Sequence, residues 1–173
     1  MGRVAVFLVV FLAGCGLRGD ERTIDALRVD ALVLHPADVG AAFGRTSVRR
    51  SPDRPSAEAR FRPVRAADPV DPLMIVSRAE VFPTSDAAKR SLDASRSALD
   101  EARGWQPISE PGLGDESFAA TLADGVLRYF RVAWRADNAT ADLRVDGFDA
   151  KLSLGEVLEL ALKQQRRIAE AAG

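Results

Sequence analysis

Two hydrophobic rhythms divide the chain. After Arg3, the ten residues from Val4 to Ala13 carry no charge, a run too short for a bilayer core, which takes roughly 20 apolar residues. From Thr23 to Phe43 the apolar positions Ile24, Leu27, Val29, Leu32 and Leu34 predict a helix with Thr23 as its N-cap. It should break at His35-Pro36, because a residue before proline avoids the helical region, and Pro36 to Gly40 begins another short turn. Ala57, Ala59 and Phe61 alternate with Glu58, Arg60 and Arg62, the period of a half-exposed strand. Leu73 to Phe82 reads as a strand closed by Pro83. Thr84 or Ser85 then caps a helix from Asp86 to Arg103, where Asp86 and Arg90, and Arg96 and Asp100, stand one turn apart. Its apolar stripe of Ala88, Leu92, Leu99 and Ala102 is thin, as suits a helix covering a sheet from outside.

The final third is more regular. Glu116 to Ala123 leads to Asp124-Gly125, a two-residue hairpin signal of the type I′ class. Val126, Phe130, Val132 and Trp134 alternate with Leu127, Tyr129, Arg131 and Arg135, and Asp137-Asn138 makes the next turn. Ala139, Ala141, Leu143 and Val145 alternate with Thr140, Asp142, Arg144 and Asp146, giving an antiparallel meander with one buried face. Ser153 and Glu156 form a capping box. Leu154, Val157, Leu158, Ala161 and Ile168 make one stripe of the helix that follows, opposite Glu156, Glu159, Lys163, Arg167 and Glu170. Gln165 interrupts the stripe. Either the helix overshoots the sheet and Gln165 is wet, or it faces a polar cavity; the first is preferred. These elements predict an α+β fold: an antiparallel sheet of about five or six strands, ending in the meander, with helices packed on one face. Residues 23–173 form its single domain.

Composition adds an address. Cys15 is the only cysteine, and Leu12-Ala13-Gly14-Cys15 resembles the lipobox of bacterial lipoproteins, after a positive residue and an apolar run in signal-peptide order. The resemblance implies cleavage between Gly14 and Cys15, removal of residues 1–14, and a diacylglyceryl group on the Cys15 sulfur. Residues 15–22 become the lipidated cysteine and a glycine-punctuated spacer. Two or more acyl chains anchor a protein stably where one holds it only marginally, and the resemblance implies a domain held on the extracytoplasmic face of the cell membrane. A cysteine consumed as a thioether leaves no thiol for redox, metal or nucleophilic chemistry. The Arg18-Gly19-Asp20 tripeptide within the spacer is too short to argue for adhesion.

Charge and residue inventory then exclude whole classes. A net charge of −1 gives no drive toward nucleic acid, and 47% hydrophobic with 28% charged residues is a globular balance. His35 is the sole histidine, lodged beside a proline, and suits a polar loop better than a triad. No set of Cys and His ligands for zinc can be assembled. Asp115 and Glu116 are adjacent, so on a strand they point to opposite faces and share no substrate. Gly112-Leu113-Gly114 precedes a strand, where a phosphate loop requires a helix N-terminus. The sequence thus assigns no catalytic residue, metal or cofactor, and an enzyme is not expected. Arg45, Arg49, Arg50, Arg54, Arg60, Arg62 and Arg65 face only Asp53 and Glu58. They make either a basic surface for anionic headgroups or envelope polymers, or the solvated face of a hairpin with guanidinium stems over apolar surface. The solvated hairpin is the reading preferred.

Pro111-Gly112-Leu113-Gly114-Asp115-Glu116-Ser117, the hairpin through Arg131-Val132-Ala133-Trp134-Arg135, Ala139 to Gly147, and Leu160 to Ile168 together make one pattern. Over roughly residues 105–170 it resembles uncharacterised actinobacterial lipoproteins and the extracellular sensor domain of mycobacterial-type serine/threonine kinases. That resemblance implies an antiparallel sheet backed by helices and a role in envelope ligand sensing. The disulfides typical of the kinase domains have no counterpart here, so no ligand site is carried across. From the residues themselves, Trp105, Tyr129, Arg131 and Trp134 are the candidates to line a pocket for an apolar or amphipathic envelope ligand between the closing helix and the sheet. The competing function is an envelope protein-protein interaction or scaffolding module, working through the exposed basic strand without a small ligand.

Overall fold

The computed structural model describes residues 23–64 and 72–173. The apolar run, the lipobox-like stretch with Gly14 and Cys15, the expected spacer and Arg65 lie outside the described residues. The first segment is a 3₁₀ turn, Ala26–Leu32, capped by Asp25, whose carboxylate accepts the Leu27 amide at 2.9 Å. It replaces the α-helix expected from Thr23 for a packing reason. Leu32, Val33 and Leu34 are all buried while Leu27 is 90% exposed, and three consecutive buried residues do not fit one α-helical stripe. The remaining elements are α1 (Pro36–Val39), β1 (Phe43–Arg50), β2 (Ser56–Pro63), β3 (Met74–Val81), α2 (Ser85–Glu101), β4 (Gln106–Ile108), β5 (Glu116–Asp124), β6 (Leu127–Ala136), β7 (Ala139–Phe148) and α3 (Leu154–Ala172). Thr84 caps α2 by accepting the Ala87 amide at 3.1 Å, and Ser153 with Glu156 forms the expected capping box of α3. Among the described residues, no helix is long and apolar enough to cross a membrane.

The class is the expected α+β. All seven strands join one antiparallel sheet in the order β1-β2-β3-β7-β6-β5-β4, one strand more than the upper expectation. β1 and β4 are the strands that periodicity does not reveal. β1 is arginine-rich and its register with β2 slips between Arg45 and Ser47, whereas β4 is three residues long with Pro107 at its centre. The β5–β6 turn also differs in detail. Asp124 pairs with Leu127, so the turn residues are Gly125 and Val126, and only Gly125 has positive φ. That is the dihedral pattern of a II′ turn, with glycine first, rather than I′.

The sheet buries both faces, unequally. On one, Ala59, Phe61, Ile75, Val132, Trp134, Leu143 and Val145 pack with Leu32 and Leu34 of the N-terminal segment and with Val157, Ala161, Ile168 and Ala171 of α3. On the other, Phe118, Ala120 and Ala133 form a small patch under Leu92 and Leu99 of α2. Helices therefore cover opposite faces instead of one, because β5 and β6 are apolar at both parities near their centres. The thin stripe of α2 matches the small patch it covers. α2 lies over β6 and β7, and the β1–β3 half of that face carries Glu58, Arg60, Arg62 and Arg78. On α3 the fully buried glutamine is Gln164 while Gln165 is half-buried, since the buried positions run 157, 161, 164, 168 and 171. Gln164 donates to the Arg78 carbonyl at 3.0 Å, beside Ser77, whose hydroxyl accepts the Leu34 amide at 2.9 Å.

Candidate functional site

The α2 face holds two pockets, one on each flank of the helix. Leu92 and Leu99 point α2 at the sheet, leaving residues 96 and 100 toward β4–β5 and residues 91 and 95 toward β7–β3. After α2 the chain returns through Gly104, at φ 88°, where a Cβ would lie 2.9 Å from the Leu122 side chain. This tight return sets Trp105 against Phe118. The result is a slot of about 160 Å³ walled by Leu99, Trp105, Pro107, Ile108, Phe118 and Ala120, with Arg96, Asp100 and Glu110 at its rim. Arg96 donates to the Ser117 carbonyl at 3.0 Å and stands 5.4 Å from the Phe118 ring centroid, within cation–π range.

The other flank is polar. A groove of about 320 Å³ is lined by Arg54, Arg78, Arg131 and Arg144, with Glu80, Asp142, Ser91, Ser95 and Thr140 among them. Arg131 is fixed within it: Nε donates to Asp142 at 2.6 Å and Nη2 to Ser95 at 2.6 Å, and its guanidinium lies 5.9 Å from the same Phe118 ring. Arg144 donates to the second Asp142 oxygen at 2.9 Å. Glu80 is 3.5 Å from Arg78 and 3.8 Å from Arg54. Phe118 is thus the partition, with one guanidinium from each pocket against it.

The four pocket candidates do not come together. Trp105 walls the slot and Arg131 walls the groove. Tyr129 lies on the same face, between Leu122 and Asp146 in register. Trp134 is on the opposite face, fully buried in the α3 core. Strand parity is the reason, since residues 129 and 131 of β6 share a face and residue 134 takes the other. The space between α3 and the sheet, where the ligand was expected, is filled by core side chains. Arg96, Ile108 and Phe118 were missed because they become neighbours only through β4–β5 pairing and the α2 crossing.

Of the residues weighed for chemistry, Asp115 and Glu116 have ion-pair partners, and His35 contributes its backbone to the start of α1. The His35 amide donates to Asp38 at the start of α1, at 2.6 Å, and Asp38 also receives Arg167 Nε at 2.6 Å. Burial raises the Asp38 pKa, but these bonds and the Arg167 charge outweigh it and hold the group below its ordinary value. Asp115 and Glu116 do not point apart as two adjacent strand residues would, because Asp115 sits just before β5, and both meet one arginine of the chain itself. Asp115 meets Arg135 Nη1 at 2.8 Å, and Glu116 meets Arg135 Nη2 at 3.4 Å and Lys89 at 2.7 Å. The Lys89 hydrogen bond, with help from Arg135, holds Glu116 below its ordinary value. Among the described residues no group of His, Cys, Asp and Glu is arranged to hold a metal ion.

No protein-family model matches the chain, and no curated protein does. Among solved structures, the extracellular domain of PknH from Mycobacterium tuberculosis superposes with a TM-score of 0.57 at 14% identity, over 84% of this chain and 99% of that one. The two share a fold. A second structure, LpqN from Mycobacterium tuberculosis, described as involved in cell envelope biogenesis, aligns at 16% identity over 78% of this chain and 80% of its own. Its TM-score of 0.41 is too low to carry an argument.

Proposed function

We propose that this chain is a non-catalytic module of the cell envelope, tethered outside the membrane through Cys15, which takes the apolar end of an amphipathic ligand into the slot beneath α2. The slot itself carries the reading: apolar walls centred on Trp105 and Phe118, and a charged rim of Arg96, Asp100 and Glu110. An apolar cavity of about 150 Å³ accepts a benzene-sized guest, so the slot suits a ring or a short hydrocarbon end. The polar remainder of the ligand then lies along the rim. The resemblance of Leu12 to Cys15 to a lipobox supports the address, and the fold shared with an extracellular domain is consistent with it.

Native mass spectrometry of the gently purified full chain tests this. Extra mass that is lost on denaturation, and reduced in Trp105→Ala, supports the reading and its identity names the ligand class. A bare mass that persists when envelope lipid extract is added would count against it. The function would then be the protein-interaction or scaffolding alternative, to which the charged face of β1–β3, on the side of the sheet where α2 lies over β6 and β7, is suited.

A further inference from the structure

The polar groove on the other flank of α2 has no part in that reading. Four arginines and two carboxylates line it, so two positive charges are left over. Arg131 and Arg144 stand directly opposite each other on β6 and β7, and Arg78 is the register partner of Asp142 on β3 and β7. Like charges directly across strands destabilise a sheet. Asp142 offsets part of this, with one oxygen taken by Arg131 and the other by Arg144. An oxyanion seated in the groove would offset the rest.

The arrangement is also ordered in advance. The Arg131 side chain is only 14% exposed and is locked to Asp142 and Ser95. Arg78 and Arg144 are about half exposed at 45% and 55%, and so are open to a ligand. Guanidinium forks match the paired oxygens of phosphate. The two surplus charges match a phosphomonoester, which is close to a dianion at neutral pH. At about 320 Å³ the groove exceeds a lone phosphate, and Ser91, Ser95 and Thr140 bring hydroxyls for a polyol attached to it.

We infer that the groove between α2 and strands β3 and β7 is a binding site for a phosphomonoester, held by Arg78 and Arg144 beside the fixed Arg131. The same chemistry occurs on a lipid headgroup and on a free sugar phosphate. Two probes separate these sources at constant ionic strength: glucose 6-phosphate in calorimetry, and phosphatidic acid in phosphatidylcholine vesicles in flotation, each with the full chain. Binding of the sugar phosphate assigns the soluble source, and binding of the vesicles alone assigns the headgroup.

In either arm Arg78→Gln/Arg144→Gln should weaken binding by about tenfold or more, the expected loss of charge-assisted hydrogen bonds. Arg144→Lys should weaken it less, since charge survives without the fork. Arg103→Gln/Arg166→Gln, which removes two exposed arginines elsewhere, should leave it unchanged. Binding should strengthen as pH rises through about 6, where the phosphate loses its second proton. The inference is overturned if neither probe binds, or if the two double variants lose affinity equally. The Trp105 slot lies across α2, so either result leaves the reading of that slot intact.

Discussion

Asn138, at the β6–β7 turn, binds Ile24 in both directions across 114 residues of chain: its Oδ1 accepts the Ile24 amide at 2.7 Å and its Nδ2 donates to the Ile24 carbonyl at 3.1 Å. Nδ2 also donates to the Phe82 carbonyl at 2.7 Å. One side-chain amide thereby ties the entry to the domain, the end of β3 and the meander turn. Ile24 and Asn138 are both buried. Asn138→Ala should therefore cost about 1–3 kcal/mol for each backbone group left unpaired. Urea denaturation measures this, and a midpoint equal to wild type would show that water replaces the amide.

Gly114 and Gly112 make a matched pair. Both have positive φ, but a Cβ on Gly114 would sit 2.1 Å from the Arg135 carbonyl oxygen, whereas at Gly112 nothing lies within 4 Å. Gly112→Ala should cost about 1–2 kcal/mol, the penalty of the left-handed region. Gly114→Ala should cost clearly more, because the turn must leave Arg135. Equal losses in thermal denaturation would refute the close approach.

Two aspartates should respond to pH with opposite signs. Burial raises the Asp146 pKa above its ordinary 3.8, with Arg62 opposing. Its charge is thus less stable in the folded state than in the unfolded chain, and the stability favoured by its protonated form is lost as pH rises through the folded value. Asp146→Asn should stabilise the domain at neutral pH, with the gain vanishing below about pH 3.8. Asp38, held below its ordinary value, contributes stability that is lost as pH falls through its folded pKa. Asp38→Asn should destabilise at neutral pH and converge on wild type in acid. Melting temperatures of the two variants across pH test both signs, and parallel curves would contradict the assigned environments.

Tryptophan fluorescence distinguishes the two faces. Trp105 borders the slot while Trp134 is fully buried under α3. Titration with a short-chain lysolipid should change the emission of Trp134→Phe, in which Trp105 is the remaining tryptophan. It should leave Trp105→Phe unchanged. A response from Trp134 instead would move the ligand to the α3 side.

The pocket candidates show how much of the site was legible. The alternation in β6 already separates Arg131 from Trp134, since their positions differ in parity. Grouping them as pocket-lining residues set chemical type above that parity. Trp105 and Arg131 do border pockets, but different ones. Phe118, which divides the two, carried no local signal because its importance comes from what crosses above it. The Gln164 and Gln165 difference is smaller: a one-residue step on a helix turns a side chain by about 100°.

Local periodicity determined what depends on near neighbours. The meander from Glu116 onward, the Ser153–Glu156 cap, α3 and the strand at β3 follow from patterns of two and of 3.6 residues together with capping chemistry. Tertiary structure alone decided that β3 pairs with β7, that β1 and β4 extend the sheet, and that α2 and α3 take opposite faces. Those outcomes depend on pairing register and on which small apolar patch each helix finds, and both involve residues distant in the chain. The slot and the arginine groove belong to the second kind, because each exists only where α2 crosses strands brought together by that pairing.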